Sequence, residues 1–64
     1  MNRDAFLSIL KTELNQLPTA QRDDIINDYA QYFDDAIAAG RNETDVIAQL
    51  GAPQQLAREL FAQH

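Results

Sequence analysis

Three aspartates recur on one face of the segment that follows Pro18, and their type and spacing suggest chemistry. Together with Gln31, the residues Asp24, Asp28 and Asp35 fall within an arc of about 60° at 3.6 residues per turn, and carboxylates spaced i, i+4 share a helix face. A calcium site needs roughly six to eight oxygen ligands on a loop, with a glycine at its turn. Because the pattern lacks such a loop, it favours a solvated acidic face that a partner could contact.

The other side chains with catalytic potential have no partners in the pattern. His64 is the only histidine and the last residue, and chain ends are usually loose. Tyr29 and Tyr32 flank an apolar helix face, where a tyrosine usually buries its ring and wets its hydroxyl. We expect packing for Tyr29, whereas packing and partner contact both stay open for Tyr32. No nucleophile, base and orienting group can be named together, so we predict no enzyme, no metal and no cofactor.

Two apolar residues, Ile9 and Phe61, are accommodated least well by the helical stripes. Single exposed apolar residues are normal, whereas a contiguous patch marks a contact surface. Both interpretations stay open for this pair. The candidate partner surface comprises Asp24, Asp28, Asp35, Ile9, Tyr32 and Phe61.

Size and charge restrict the class of function. A chain of 64 residues is one domain at most, and it has little room for a buried catalytic cleft. Ten Asp and Glu oppose five Lys and Arg, a net charge of −5. This charge disfavours nucleic acid and anionic membranes, and it fits either solubility or a partner with a basic surface. The sequence has no cysteine and no apolar run long enough for a signal peptide or a transmembrane helix. We therefore expect a protein partner, no nucleic acid, and no membrane contact by this segment.

Apolar residues recur at helical spacing, and no segment alternates with the period of a strand. Asn2 is a cap for the first helix, and Pro18 stops that helix. Thr19 is the expected cap of the second helix, which Gly40 closes with left-handed geometry. The predicted core-facing residues are Phe6, Leu7, Leu10, Leu14 and Leu17 in the first helix, and Ile25, Ile26, Tyr29, Phe33, Ala36 and Ile37 in the second.

The stretch from Gly40 to Ala57 delimits two further helices. Asn42 is a good cap for a short third helix, Gly51 ends it, and Pro53 suits the first position of the fourth. Ala52, directly before Pro53, is a poor cap that costs about 1 kcal/mol relative to Asp or Ser. We predict an all-α fold: a small compact bundle in one domain over residues 1–64, with four helices at about 3–17, 19–39, 43–50 and 53–62.

A DNA-binding helix-turn-helix protein is the alternative interpretation. The third and fourth helices, joined at residues 51–53, have about the right lengths. A recognition helix presents Arg, Lys, Asn or Gln to bases and phosphates, and the fourth helix offers Gln54, Gln55 and Arg58 beside Glu59. Because one cation is a poor phosphate clamp, DNA binding is the second choice.

The order of these landmarks resembles a known domain family. FLSILKTELNQLP precedes QRDDIINDYAQYFDDAIAAG and then RNETDVIAQLGAPQQLARELF. This order is similar to that of HAAS (helix-turn-helix-associated alpha-helical signalling) domains, which have a leucine-rich helix ending in L-P, an acidic helix with D-Y-x-x-x-F, and a closing G-x-x-E-x-x-x-I-x-x-L-G-x-P-x-x-I-A. The chain departs from the family pattern at Gln21, where Glu is common, and at Ala52, where Asp, Asn or Ser is common. The matching positions are Phe6, Leu7, Leu10, Leu14, Leu17, Pro18, Asp28, Tyr29, Phe33, Gly40, Glu43, Ile47, Leu50, Gly51, Pro53, Leu56 and Ala57.

The resemblance implies a non-enzymatic bacterial signalling module that takes part in transcription regulation. Such domains usually precede transmembrane helices in a longer protein and are commonly encoded beside a PadR-like regulator. The resemblance therefore implies a cytoplasmic location and a PadR-like regulator as the partner. It leaves open whether the chain is the N-terminal domain of a membrane protein or a free-standing short protein.

Overall fold

A computed structural model describes residues 1–63, which form four helices and no strand. His64, for which we expect a loose chain end, lies outside the described residues. The first helix, α1, packs against each of the other three, and α2 also packs against α3. The predicted all-α fold, a small compact bundle, is confirmed. The helices are α1 (Arg3–Glu13), α2 (Thr19–Ala38), α3 (Glu43–Leu50) and α4 (Pro53–Gln63).

The core draws on all of these helices, and α1 contributes the largest share. The rings of Phe6 in α1 and Phe33 in α2 lie 5.4 Å apart between centroids and are tilted by 60°, an arrangement that aromatic pairs favour. Val46 of α3 packs in the same cluster and is fully buried. The buried apolar residues are Phe6, Leu7, Leu10, Leu14, Phe33, Ala36, Val46, Leu56 and Ala57.

Two asparagines cap helices as predicted. The side chain of Asn2 accepts a hydrogen bond from the Ala5 N–H at 2.8 Å at the start of α1. The side chain of Asn42 accepts one from the Asp45 N–H at 2.8 Å at the start of α3. Each bond satisfies a backbone donor that the first turn of a helix leaves free.

Gly40 closes α2, also as predicted. Its φ of 93° lies in the left-handed region that a side chain rarely adopts. The Gly40 N–H donates to the Ile37 carbonyl and the Arg41 N–H donates to the Ala36 carbonyl, each at 3.0 Å. This pair of bonds is the Schellman arrangement, and it turns the chain from α2 towards α3.

The prediction that α1 extends to Leu17 was wrong, because the helix ends at Glu13. Pro18 disfavours helical geometry in the residue before it. The α-helical hydrogen bonds therefore end about one turn before the proline. The Leu17 N–H donates to the Leu14 carbonyl at 3.1 Å, an i to i+3 bond typical of helix ends. Leu14 is nevertheless fully buried, and Leu17 packs against the core.

The prediction that Thr19 caps α2 was also wrong. The cap is Pro18, with φ −52° and ψ 143°, and no side chain makes a capping bond there. The Arg22 N–H donates to the Pro18 carbonyl at 3.0 Å, so the Pro18 carbonyl accepts the first hydrogen bond of the helix. Thr19 is the first helical residue, one position too late to cap.

Ile37 does not face the core as predicted, since the residue is 42% exposed. The α2 helix has 20 residues, whereas α1, which packs on it, has 11. At about 1.5 Å per residue, α1 is only about half as long as α2. Phe33 and Ala36 are buried, but the stripe is uncovered at Ile37.

Candidate protein-interaction surface

The structure places two of the three predicted aspartates at one groove. Asp24 and Asp28 line an open groove of about 450 Å³ between α2 and α4. Asp35 is exposed on α2 outside this lining, and its Oδ1 accepts a hydrogen bond from Gln31 Nε2 at 2.8 Å. The acidic face is therefore present, but only its first two carboxylates border a depression.

The groove has an apolar floor and a polar rim. Ile25 and Tyr29 of α2 and Leu60 of α4 are half-buried and pack against the core. Gln21, Asp24 and Asp28 complete the lining and are exposed. The α2–α4 groove, as we call this depression, thus offers apolar surface beside two carboxylates on one helix.

Tyr29 lies in a partly buried environment with two carboxylates nearby. Burial raises the pKa of Tyr29 above its ordinary value of 10.0, and the negative charges of Glu59 and Asp28 raise it further. Burial and nearby anions both disfavour the phenolate. The Tyr29 hydroxyl is therefore neutral near pH 7, and Glu59 of α4 adds a third carboxylate to this neighbourhood.

Tyr32 is exposed and hydrogen-bonded at the same time. Tyr32 is 36% exposed, and its hydroxyl donates to Gln49 Oε1 at 3.2 Å. The same oxygen accepts a 2.7 Å hydrogen bond from Arg41 Nη2. The Tyr32 bond joins α2 to α3, so Tyr32 lies at a helix junction. It is not among the residues that line the α2–α4 groove.

The two apolar candidates occupy different helices that pack together. Ile9 is half-buried on α1. Phe61 is half-buried on α4 and packs against the core. The α1 and α4 helices are in contact, and a shared apolar patch of Ile9 and Phe61 stays a prediction.

Sequence reasoning missed Arg3, which joins three helices. Its Nε lies 3.2 Å from Asp34 Oδ1 of α2, although it is not aligned for a hydrogen bond. Its backbone N–H donates to Glu43 Oε1 of α3 at 3.3 Å. A signal was present, because a cation in the first turn of a helix opposes the helix dipole and needs nearby carboxylates.

Neither a metal-binding cluster nor a membrane-spanning helix occurs in residues 1–63. Within that range, no group of three or more His, Cys, Asp or Glu side chains is arranged to hold a metal ion. Over the same range, no helix combines the length and the apolar character needed to cross a membrane. The outer side of α4 exposes Gln54, Gln55, Arg58 and Glu59.

The fold and the surface define a small all-helical domain whose candidate site is a groove and an acidic helix face. The model of the HAAS family matches residues 5–59, and the chain belongs to this family. A comparison with curated proteins gave no match, and a comparison with solved structures gave none either. HAAS is a small helical domain associated with PadR-like regulators, and it is not a known enzyme family.

Proposed function

We propose that this chain is a non-enzymatic signalling module that binds a PadR-like transcription regulator in the cytoplasm. The observation that carries the proposal is the HAAS match over residues 5–59. The module acts by contact, either as a free-standing protein or as a domain of a longer membrane protein. Its partner surface includes the acidic face of α2 and the exposed positions around it.

Charge supports a regulator as the partner. A DNA-binding regulator must carry Lys and Arg to neutralise phosphates, so it presents a basic surface. This chain has a net charge of −5, and Asp24, Asp28 and Asp35 are exposed along α2. Complementary charge of this kind raises the association rate and sets orientation more than it adds affinity.

The test is a calorimetric titration of the PadR-like regulator encoded beside this chain with the purified chain. We expect binding that weakens as salt is added, because exposed charge pairs are screened. Neutralising the acidic face with D24N/D28N/D35N should slow association and weaken binding by roughly three- to tenfold. The matched control D4N/E13Q/D45N removes the same charge from α1 and α3 and should bind like the unchanged chain.

Two results would count against the proposal. If the regulator does not bind at low salt, it is not the partner. If both triple variants weaken binding equally, the acidic face of α2 is not a specific binding surface. A gel-shift assay at low salt addresses the helix-turn-helix alternative. DNA binding by the chain alone, with a steep loss of affinity as salt rises, would favour that alternative.

A further inference from the structure

The α2–α4 groove is a concave apolar surface with charge of one sign on its rim. Its volume of about 450 Å³ lies within the roughly 300–1,000 Å³ range of pockets that hold ligands. Ile25, Tyr29 and Leu60 form the floor, and among the described lining residues the charged ones are Asp24 and Asp28. Such a groove is suited to an apolar side chain with a cation beside it.

Charge discriminates between the classes of occupant. Nucleic acid and an anionic membrane are repelled by the two carboxylates and by nearby Glu59. A second copy of this chain brings another net charge of −5 and would place like charges together. A basic segment of a protein partner is attracted by the same field, which leaves it as the favoured occupant.

The spacing of the carboxylates specifies that segment further. Asp24 and Asp28 are four residues apart on α2, so they stand one turn, or about 6 Å, apart along the helix axis. A helix lying along α2 presents side chains with the same spacing at its own i and i+4 positions. Recognition of an amphipathic helix in an apolar groove is a common mode of peptide binding.

We propose that the α2–α4 groove binds an amphipathic helix of a protein partner. An aliphatic side chain of that helix inserts between Ile25 and Leu60, and two Lys or Arg residues spaced i, i+4 pair with Asp24 and Asp28. This inference rests on the proposed function, because it takes the chain to be an interaction module and names the segment that its surface accepts.

The experiment is an NMR titration of the isotope-labelled chain with a synthetic helical peptide of about four turns. The peptide carries leucines on one face, arginines spaced i, i+4 beside them, and no aromatic residue. One control peptide has Glu in place of each Arg, and another has Ala in place of each Leu. We expect the first peptide to perturb the amides of the groove residues and both control peptides to bind more weakly by roughly tenfold.

Variants of exposed residues test the site without disturbing the core. Gln21→Trp fills the groove from its rim and should weaken binding of the Leu/Arg peptide by roughly tenfold. D24N/D28N should weaken it by roughly two- to fivefold. The matched control E13Q/D45N removes the same charge from α1 and α3 and should leave the affinity unchanged. Amide spectra of each variant report whether the fold is intact.

Several results would overturn the groove inference. The Glu peptide could bind as tightly as the Leu/Arg peptide, or the amide perturbations could centre on another face of the chain. The two double variants could also weaken peptide binding equally. An unchanged affinity after Gln21→Trp would also exclude the groove inference. Concentration-dependent shifts at the groove without peptide, with a dimer in sedimentation, would identify a second copy as the occupant. Groove perturbation by anionic lipid vesicles would identify a membrane.

The same variants separate this inference from the proposed function. If the PadR-like regulator binds the unchanged chain and the Gln21→Trp variant equally, the proposed function stands and the groove inference fails. If the regulator does not bind but the Leu/Arg peptide occupies the groove, the proposed function fails and the groove inference stands.

Discussion

The ring of Phe33 lies 5.4 Å from that of Phe6 between centroids, with the planes tilted by 60°. Both side chains are fully buried, and the pair links the two helices that contribute most of the aromatic core. Phe33→Leu removes the ring contact and leaves a small cavity, so it should lower the free energy of unfolding by about 1–2 kcal/mol. Urea unfolding followed by circular dichroism measures the loss.

Ile37→Ala is the matched control, one turn further along α2. Because Ile37 is 42% exposed, this truncation should cost less than about 1 kcal/mol. A cost equal to that of Phe33→Leu would mean that Ile37 belongs to the core after all.

The pKa of Tyr29 predicts a loss of stability at high pH. Burial, followed by the charges of Glu59 and Asp28, raises this pKa above 10.0. As pH rises past about 10, the unfolded chain releases the phenol proton while the folded chain keeps it. The unfolded state then binds fewer protons, so the free energy of unfolding falls until the folded pKa is passed. Tyr29→Phe should remove this part of the pH dependence.

Ultraviolet absorbance titration measures that pKa directly. The chain has two tyrosines and no tryptophan, so the Tyr32→Phe variant leaves Tyr29 as the sole phenol. We expect its midpoint to lie above the ordinary value in buffer and to return to about 10 in concentrated urea. Glu59→Gln should lower the midpoint in buffer. The same midpoint in both solvents would refute the assigned environment.

Ala52 is a site where stability can be raised. The Leu56 N–H donates to the Ala52 carbonyl at 3.0 Å, which puts Ala52 at the cap position of α4, with Pro53 as the first helical residue. Ala52→Ser supplies a side-chain acceptor for a free N–H of the first turn and should add about 0.5–1 kcal/mol. Thermal unfolding measures the gain.

Two companion variants set the scale for this cap. Asn42→Ala removes the 2.8 Å bond from the Asp45 N–H and should cost about 1 kcal/mol. Ala48→Ser, at an exposed position inside α3, should cost about 0.5 kcal/mol through lower helix propensity. If Ala52→Ser lowers the melting temperature as Ala48→Ser does, position 52 is not a functional cap.

The Arg3–Asp34 ion pair should be weak and sensitive to salt. Arg3 Nε and Asp34 Oδ1 are 3.2 Å apart, but the side chains are 27% and 58% exposed, so water screens them. Arg3→Met should cost less than about 1 kcal/mol. A double-mutant cycle with Asp34→Asn isolates the coupling energy, which should be at most about 1 kcal/mol and should shrink in high salt.

Arg22→Met is the control for replacing an arginine side chain without breaking an ion pair between two helices. Arg22 Nε lies 3.7 Å from Asp23 Oδ1, its neighbour in the chain, so this pair does not join two helices. An Arg3–Asp34 coupling energy that does not change with salt would contradict a screened surface pair.

Helix ends were predictable where a single residue sets them. Asn2, Asn42 and Gly40 act through hydrogen bonds to residues a few positions away, so the local sequence contains the necessary information. The end of α1 was placed too late because the effect of Pro18 extends a full turn back through i to i+3 bonds. Ile37 was misassigned because helical periodicity gives the direction of a side chain but not whether another helix covers it.

The candidate surface also has one part that the local sequence predicts and another part that depends on tertiary packing. The period of 3.6 residues placed Asp24 and Asp28 on one helix face. It could not place Leu60 beside them, because that contact depends on how α4 lies against the rest of the bundle. Arg3 near Asp34 and Tyr32 bonded to Gln49 likewise join residues that no local pattern connects.

The sequence by itself determined the all-α class, most helix boundaries, the negative charge and the family resemblance. Each of these follows from composition, caps and periodicity, which act over a few residues. Only the tertiary structure decided that an apolar groove opens between α2 and α4 beside Asp24 and Asp28, and that Ile37 stays exposed. These features arise from helix packing, in which side chains distant along the chain compete for a limited area of core.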